Sequence, residues 1–79
     1  MALFSQPTAR ALAILDLLMA NPQQAFGLTE MTRRLNLNKA TCHAILTTMA
    51  NYGFLVQDPK TKAYRLGPSI IAAGNAAFA

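Results

Sequence analysis

The chain has 79 residues, seven basic and three acidic, a formal net charge of +4 and a single cysteine. That length suits one small domain with one core, the 53% hydrophobic content speaks for a folded chain, and one cysteine excludes an intramolecular disulfide. The excess of lysine and arginine suits a polyanionic partner, nucleic acid or less often an anionic membrane surface; no apolar run reaches the length of a membrane span, and with no basic n-region and Asp16 inside the first apolar stretch no signal peptide is expected, so the expected setting is a reducing cytoplasm.

Met1 to Gln6 carries no clear pattern. Pro7-Thr8 opens a predicted helix with Thr8 as N-cap, running to about Ala20 and closed by Asn21-Pro22. Ala11, Ile14, Leu15 and Leu18 form its apolar stripe, which Leu12 and Met19 are expected to widen. Ala13 and Leu17 lie on the other side beside Arg10, leaving an apolar spot outside the stripe.

Asn21 to Gly27 is a polar connection, and Phe26-Gly27-Leu28 is read as a short strand. Thr29 is the expected cap of a second helix, with Glu30 favouring its positive end and Met31 and Leu35 facing the core. Arg33 and Arg34 fall in its last turn, where they suit the helix dipole and can also touch phosphates. Asn36-Leu37-Asn38 makes a three-residue break. Asn36 tolerates the left-handed conformation, and Leu37 plugs the space between two helices.

The third helix runs from its N-cap Asn38 to the terminator Gly53. Cys42, Ile45, Leu46 and Met49 recur at i, i+3, i+4 and i+7, so they form the core face, and Cys42 is read as a buried structural thiol. Ala40, Ala44, Thr47 and Asn51 lie opposite, flanked by Thr41, His43 and Thr48. These residues are mostly short and none is acidic, so this face can approach DNA without repelling phosphate. A short helix, a three-residue turn and a longer helix make a helix-turn-helix.

After Gly53 the period changes. Phe54 to Gln57 and Ala63 to Leu66 read as paired strands around the turn Asp58-Pro59-Lys60-Thr61-Lys62, whose two lysines suit a wing on the DNA backbone. Ser69 to Ala79 is read as a last helix capped by Ser69 and nearly devoid of charge. An apolar helix of this kind needs a cover, from a second copy or from a longer protein.

Catalysis finds little material. Asp16, Glu30 and Asp58 fall in three different elements, and His43 has no second histidine or cysteine at ligand spacing on its polar side. No glycine-rich phosphate loop is present. No catalytic residue, metal or cofactor is expected.

The order helix, helix-turn-helix, hairpin, apolar helix resembles the N-terminal winged domain of IclR-type (isocitrate lyase regulator) bacterial transcription factors. The residues that carry the resemblance are Arg10 to Leu15, Leu28 to His43, Tyr52-Gly53-Phe54-Leu55, and Asp58-Pro59 with Tyr64-Arg65-Leu66-Gly67. Together they span roughly residues 8 to 74, and order and spacing make the match specific. The resemblance implies a longer regulator with a C-terminal domain that binds a small-molecule effector, and dimerisation through the first helix and the linker helix. The sequence departs from the family pattern at Asn38 and Ala40, where serine is frequent, and at Ala44, where arginine is frequent. Ala40 and Ala44 offer only methyl groups, which suit thymine rather than guanine. Regulators of this type both repress and activate, so the sign of control does not carry over.

The expectation is therefore a mainly α winged helix-turn-helix with a small β-hairpin. Residues 1–67 form the DNA-binding domain, and 68–79 begin a linker helix toward a C-terminal effector domain not contained in this sequence. The expected DNA-contacting residues are Arg33, Arg34, Asn38, Lys39, Ala40, Thr41, His43, Ala44, Thr47, Lys60, Thr61 and Lys62. Of these, Lys39 and Thr41 are assigned to phosphates near the helix start. The expected dimer contacts are Ala13, Leu17, Ile70, Ile71 and Phe78, with two copies on an approximately palindromic duplex. The alternative is a winged-helix protein-interaction module that binds no DNA.

Overall fold

The computed structural model describes residues 3–79; Met1 and Ala2, part of the stretch read as patternless, lie outside them. Helix α1 spans Gln6–Ala20 and is capped by Ser5, whose Oγ accepts the Thr8 N–H at 3.3 Å and the Thr8 hydroxyl at 2.9 Å. The expected cap, Thr8, thus lies inside the first turn as the group being capped. Pro7 occupies that turn too, where its missing N–H costs nothing.

Ile14 and Leu18 carry α1 into the core and are fully buried. Leu12 and Met19 do not widen that stripe: they are 56% and 53% exposed. At 100° per residue they point about 120–140° away from the mean direction of Ile14 and Leu18, whereas Leu17 lies about 80° away on the other flank. Leu17 accordingly packs partly against the core.

Helix α2 spans Leu28–Leu35. Its N-cap position is Gly27 and no side chain caps it; Thr29, the expected cap, sits within the helix. The start is set by Phe26, whose N–H and C=O pair with Tyr64 at 2.9 and 2.7 Å. That pairing ends the extended run, so the expected strand shrinks to one bridge and the helix begins at once. Met31 is fully buried. Asn36 adopts the left-handed conformation at φ 53, as its residue type suggests, and Leu37 packs half-buried against the core.

Helix α3 spans Lys39–Asn51. Asn38 caps it, its side-chain oxygen accepting the Thr41 N–H at 2.7 Å. Cys42, Leu46 and Met49 are buried, with Ile45 packed beside them. Burial pushes the Cys42 thiol up from its ordinary pKa. The helix ends in a Schellman arrangement: Phe54 N–H bonds Met49 C=O, Gly53 N–H bonds Ala50 C=O, and Gly53 takes φ +78.

Strands β1 (Leu55–Gln57) and β2 (Tyr64–Leu66) pair antiparallel, Leu55 opposite Leu66 and Gln57 opposite Tyr64. Leu55 and Tyr64 face the core, while Val56 and Arg65 face outward. At the tip, Asp58 Oδ1 accepts the Lys60 and Thr61 N–H groups at 2.8 and 2.9 Å. Those bonds hold the carboxyl below its usual pKa, and Lys62 takes the left-handed φ of 65.

Helix α4 spans Pro68–Phe78. Gly67 stands at the N-cap position and Pro68 opens the helix, so Ser69 is not its cap. No residue of α4 is buried. The core therefore sits among α1, α2, α3 and the hairpin, each large aliphatic side chain in it contributing about 1.5–3 kcal/mol. The architecture is a mainly helical winged helix.

Candidate nucleic-acid interface

With Cys42, Leu46 and Met49 turned inward, 100° per residue assigns every other side chain of α3 a direction. Ala40, Ala44, Thr47 and Asn51 form the outward crest and are exposed. Lys39 and His43 fall on one flank, Thr48 on the other. A groove runs along each flank, and the two differ in chemistry.

The first groove, about 850 Å³, lies between α3, the start of α2 and the wing. Lys39 and His43 form one wall, Gln57, Thr61 and Lys62 face them from the hairpin, and Thr29 closes the end. The amide of Gln57 donates to Lys62 C=O at 3.1 Å, bracing the tip. The hairpin thus brings Thr61 and Lys62 to the recognition helix, from about twenty residues away in the chain. Lys60 is exposed at the same tip.

The second groove, about 340 Å³, is almost wholly apolar. Ala44, Ile45, Thr48 and Met49 meet Pro7, Thr8 and Ala11 of α1 across it. Ala44, on the crest, thus also borders the start of α1. Thr48 turns its hydroxyl back to Ala44 C=O at 2.8 Å, so it presents its methyl side.

Glu30 is the one carboxylate lining the polar groove, and it is matched by two arginines. Arg33 Nη2 donates to it at 2.6 Å and Arg34 Nε at 2.7 Å, and these are the ion pairs among the described residues. The bonds from Arg34 and then Arg33 hold the Glu30 carboxyl below its ordinary pKa. Arg34 also stacks over the Phe26 ring, 5.3 Å from its centroid, so it is tied into the protein. Arg33 keeps a side chain 70% exposed and remains able to reach outward.

The anticipated residues thus divide. Lys39, His43, Thr61 and Lys62 line one groove, and Ala40, Thr47 and Lys60 are exposed on the same two elements, α3 and the wing. Asn38 uses its side-chain oxygen as the cap. Thr41 is half-buried and its N–H is taken by Asn38, which removes that amide from phosphate binding. Two residues of this surface escaped the sequence reading, Thr29 and Gln57 on the groove walls, and so did Arg65, exposed on the outer face of β2 outside the groove. Arg65 had a legible signal, since it alternates with the inward Tyr64 and Leu66.

A core of three helices, a tight turn between α2 and α3, and a hairpin behind α3 define a winged helix-turn-helix protein. The profile of the IclR helix-turn-helix domain matches residues 7–59. The chain belongs to the IclR family of transcriptional regulators and carries its helix-turn-helix domain. It is 39% identical over 70 residues to the glycerol operon regulatory protein of Streptomyces griseus, covering 89% of this chain and 27% of that one. It is 33% identical over 70 residues to the transcriptional regulator XynR of Escherichia coli K12, again 89% of this chain and 27% of the relative. Among solved structures, an IclR transcriptional regulator from Alicyclobacillus acidocaldarius superposes with a TM-score of 0.89 at 35% identity, over 94% of this chain and 30% of the other. The chain thus spans about a quarter to a third of the length of these relatives.

Proposed function

We propose that this chain is the DNA-reading part of a regulator that acts in the cytoplasm by binding double-stranded DNA and carries out no catalysis. Helix α3 enters the major groove along its crest, with Ala40, Ala44 and Thr47 nearest the bases and His43 beside them. Lys39, Lys60, Thr61 and Lys62 hold the flanking backbone, and Arg33, released from Glu30, adds a phosphate contact. The observation that carries this reading is the polar groove: the start of α3 and the wing tip turn lysines toward one space whose single carboxylate is already paired. Among the described residues, no helix is long and apolar enough to cross a membrane.

Two copies act together on an approximately palindromic operator. Supporting this is the exposure of Ile71 at 68% and Phe78 at 94% on α4, and of Leu12 and Met19 on α1. Ala13 and Ile70 are half-buried, and Leu17 contributes only the part of its side chain left free by the core. Effector control reaches the domain through a C-terminal effector domain, a reading supported by the small share of each relative that this chain covers.

The test is duplex binding as a function of salt. Affinity falls steeply with ionic strength, and Lys62→Ala lowers the log–log slope by about one unit. Binding that is undetectable at low salt would instead favour the protein-interaction alternative.

A further inference from the structure

Helix α4 buries none of its residues, yet Gly67 and Ser69 at its start are joined to the turn that follows α3 by three hydrogen bonds. Gly67 N–H bonds Phe54 C=O at 2.8 Å, Ser69 N–H bonds Gly53 C=O at 2.9 Å, and the Ser69 hydroxyl donates to Tyr52 C=O at 2.8 Å across seventeen residues. The acceptors are three consecutive carbonyls of the turn that follows α3, and the Gly67–Phe54 bond continues the hairpin ladder beyond Leu55 and Leu66. The fit is also close. A Cβ on Gly53 would fall 2.5 Å from Ser69 Oγ, and one on Gly67 would fall 2.5 Å from Gly53 O and 3.0 Å from the Leu55 backbone. Only two glycines let the strands of chain approach this nearly.

We propose that Ser69 and Gly67 are positioning residues that set the direction of α4 relative to α3, and so set the separation of two recognition helices in the dimer. The clasp holds α4 at one end, against the turn that terminates α3. With no buried side chain along its length, α4 takes its direction from that first turn. Two recognition helices joined through α4 then inherit a fixed spacing, and the protein discriminates among duplexes by the length of the segment between half-sites. The spacing step rests on the dimeric reading above; the clasp itself does not.

The experiment has two arms and compares wild type, Ser69→Ala and Ser69→Thr, the last retaining the hydroxyl. The first arm is amide hydrogen exchange followed by NMR. In Ser69→Ala, protection at the Gly67 and residue-69 amides falls about fivefold, the factor that one hydrogen bond carries. The amides of Leu46 and Met49 stay unchanged, and Ser69→Thr restores protection. Unchanged protection at Gly67 in Ser69→Ala overturns the clasp, whatever the oligomeric state. The second arm selects a bound duplex from a random pool, then lengthens or shortens its centre by single base pairs. In Ser69→Ala the penalty for an altered centre shrinks by about fivefold, while affinity for an isolated half-site stays at the wild-type value. An undiminished penalty overturns the positioning role. A selected duplex with a lone half-site overturns the dimer and its spacing, and leaves the clasp to be judged by exchange.

Discussion

Helices α3 and α4 are made of similar material and meet opposite fates. Both are poor in charge, with no acidic residue in the first turn and no basic residue in the last. Yet α3 buries Cys42, Leu46 and Met49, while α4 buries nothing. The difference is placement rather than content. In α3 the large apolar residues recur on one face and small or polar ones fill the other, so one side can enter a core while the crest stays free. In α4, Ile70 and Ile71 stand side by side, alanines run around the helix, and Phe78 lies at the far end, so no single stripe turns the helix inward. An apolar helix without a stripe needs cover from elsewhere, and the proposed second copy would supply it.

That contrast breaks most readily in the core. Leu46→Ala is expected to cost about 2–5 kcal/mol in denaturant unfolding, while Ile71→Ala on the monomer stays within about 0.5 kcal/mol. Equal losses would mean that α4 packs into the protomer. The crest of α3 offers the next largest effect. Ala44→Arg shifts the selected site toward guanine at one position by roughly 1–3 kcal/mol, and Ala73→Arg on α4 changes no preferred base. If duplex selection returns the same sequence for all three proteins, Ala44 does not approach base edges.

The caps come next. Asn38→Ala removes the acceptor of the Thr41 N–H and is expected to cost about 1 kcal/mol of stability in thermal unfolding. Ser5→Ala is the matching control on α1, with a similar loss, whereas Thr8→Val leaves Ser5 still able to accept the residue-8 N–H and costs less.

The smallest effect is acid sensitivity, and it spares both α3 and α4, which contain no carboxylate. The folded-state pKa of Glu30 lies below its unfolded value, because Arg34 and Arg33 bond the ionised form. Its contribution is therefore fully present above the unfolded value and is lost as pH falls through the folded one. Unfolding midpoints measured from neutral pH downward should decline through the carboxylate range, and less so in Glu30→Gln. Asp58, depressed by the Thr61 and Lys60 amides, adds a decline of the same sign at the wing.

What was local in this protein was legible in its residues. The cap at Asn38, the left-handed Asn36, the stop at Gly53, the core face of α3 and the turn at Asp58 each depend on a few neighbouring residues. Each appears in the structure where those residues place it. Three helix starts were not legible in the same way. Thr8, Thr29 and Ser69 all look like caps, because a hydroxyl residue near a helix start is the same signal whether it lies outside the helix or one to three residues within it. Ser5, Gly27 and Gly67 hold those positions instead. At two of them the tertiary structure decided: Phe26 pairs with Tyr64 and releases the chain at Gly27, and the Ser69 hydroxyl is drawn to Tyr52 C=O.

The sequence by itself determined the elements, their order and the residue types on the face of α3, because helical period, turn chemistry and backbone preference act over a few residues. Only the tertiary structure decided which flank of α1 enters the core, that Leu17 packs while Leu12 and Met19 do not, and that α3 lies between a polar groove and an apolar one. Those outcomes depend on where α1 and the hairpin dock against α3. Docking is a competition among whole faces for one core, and no short window of residues contains it.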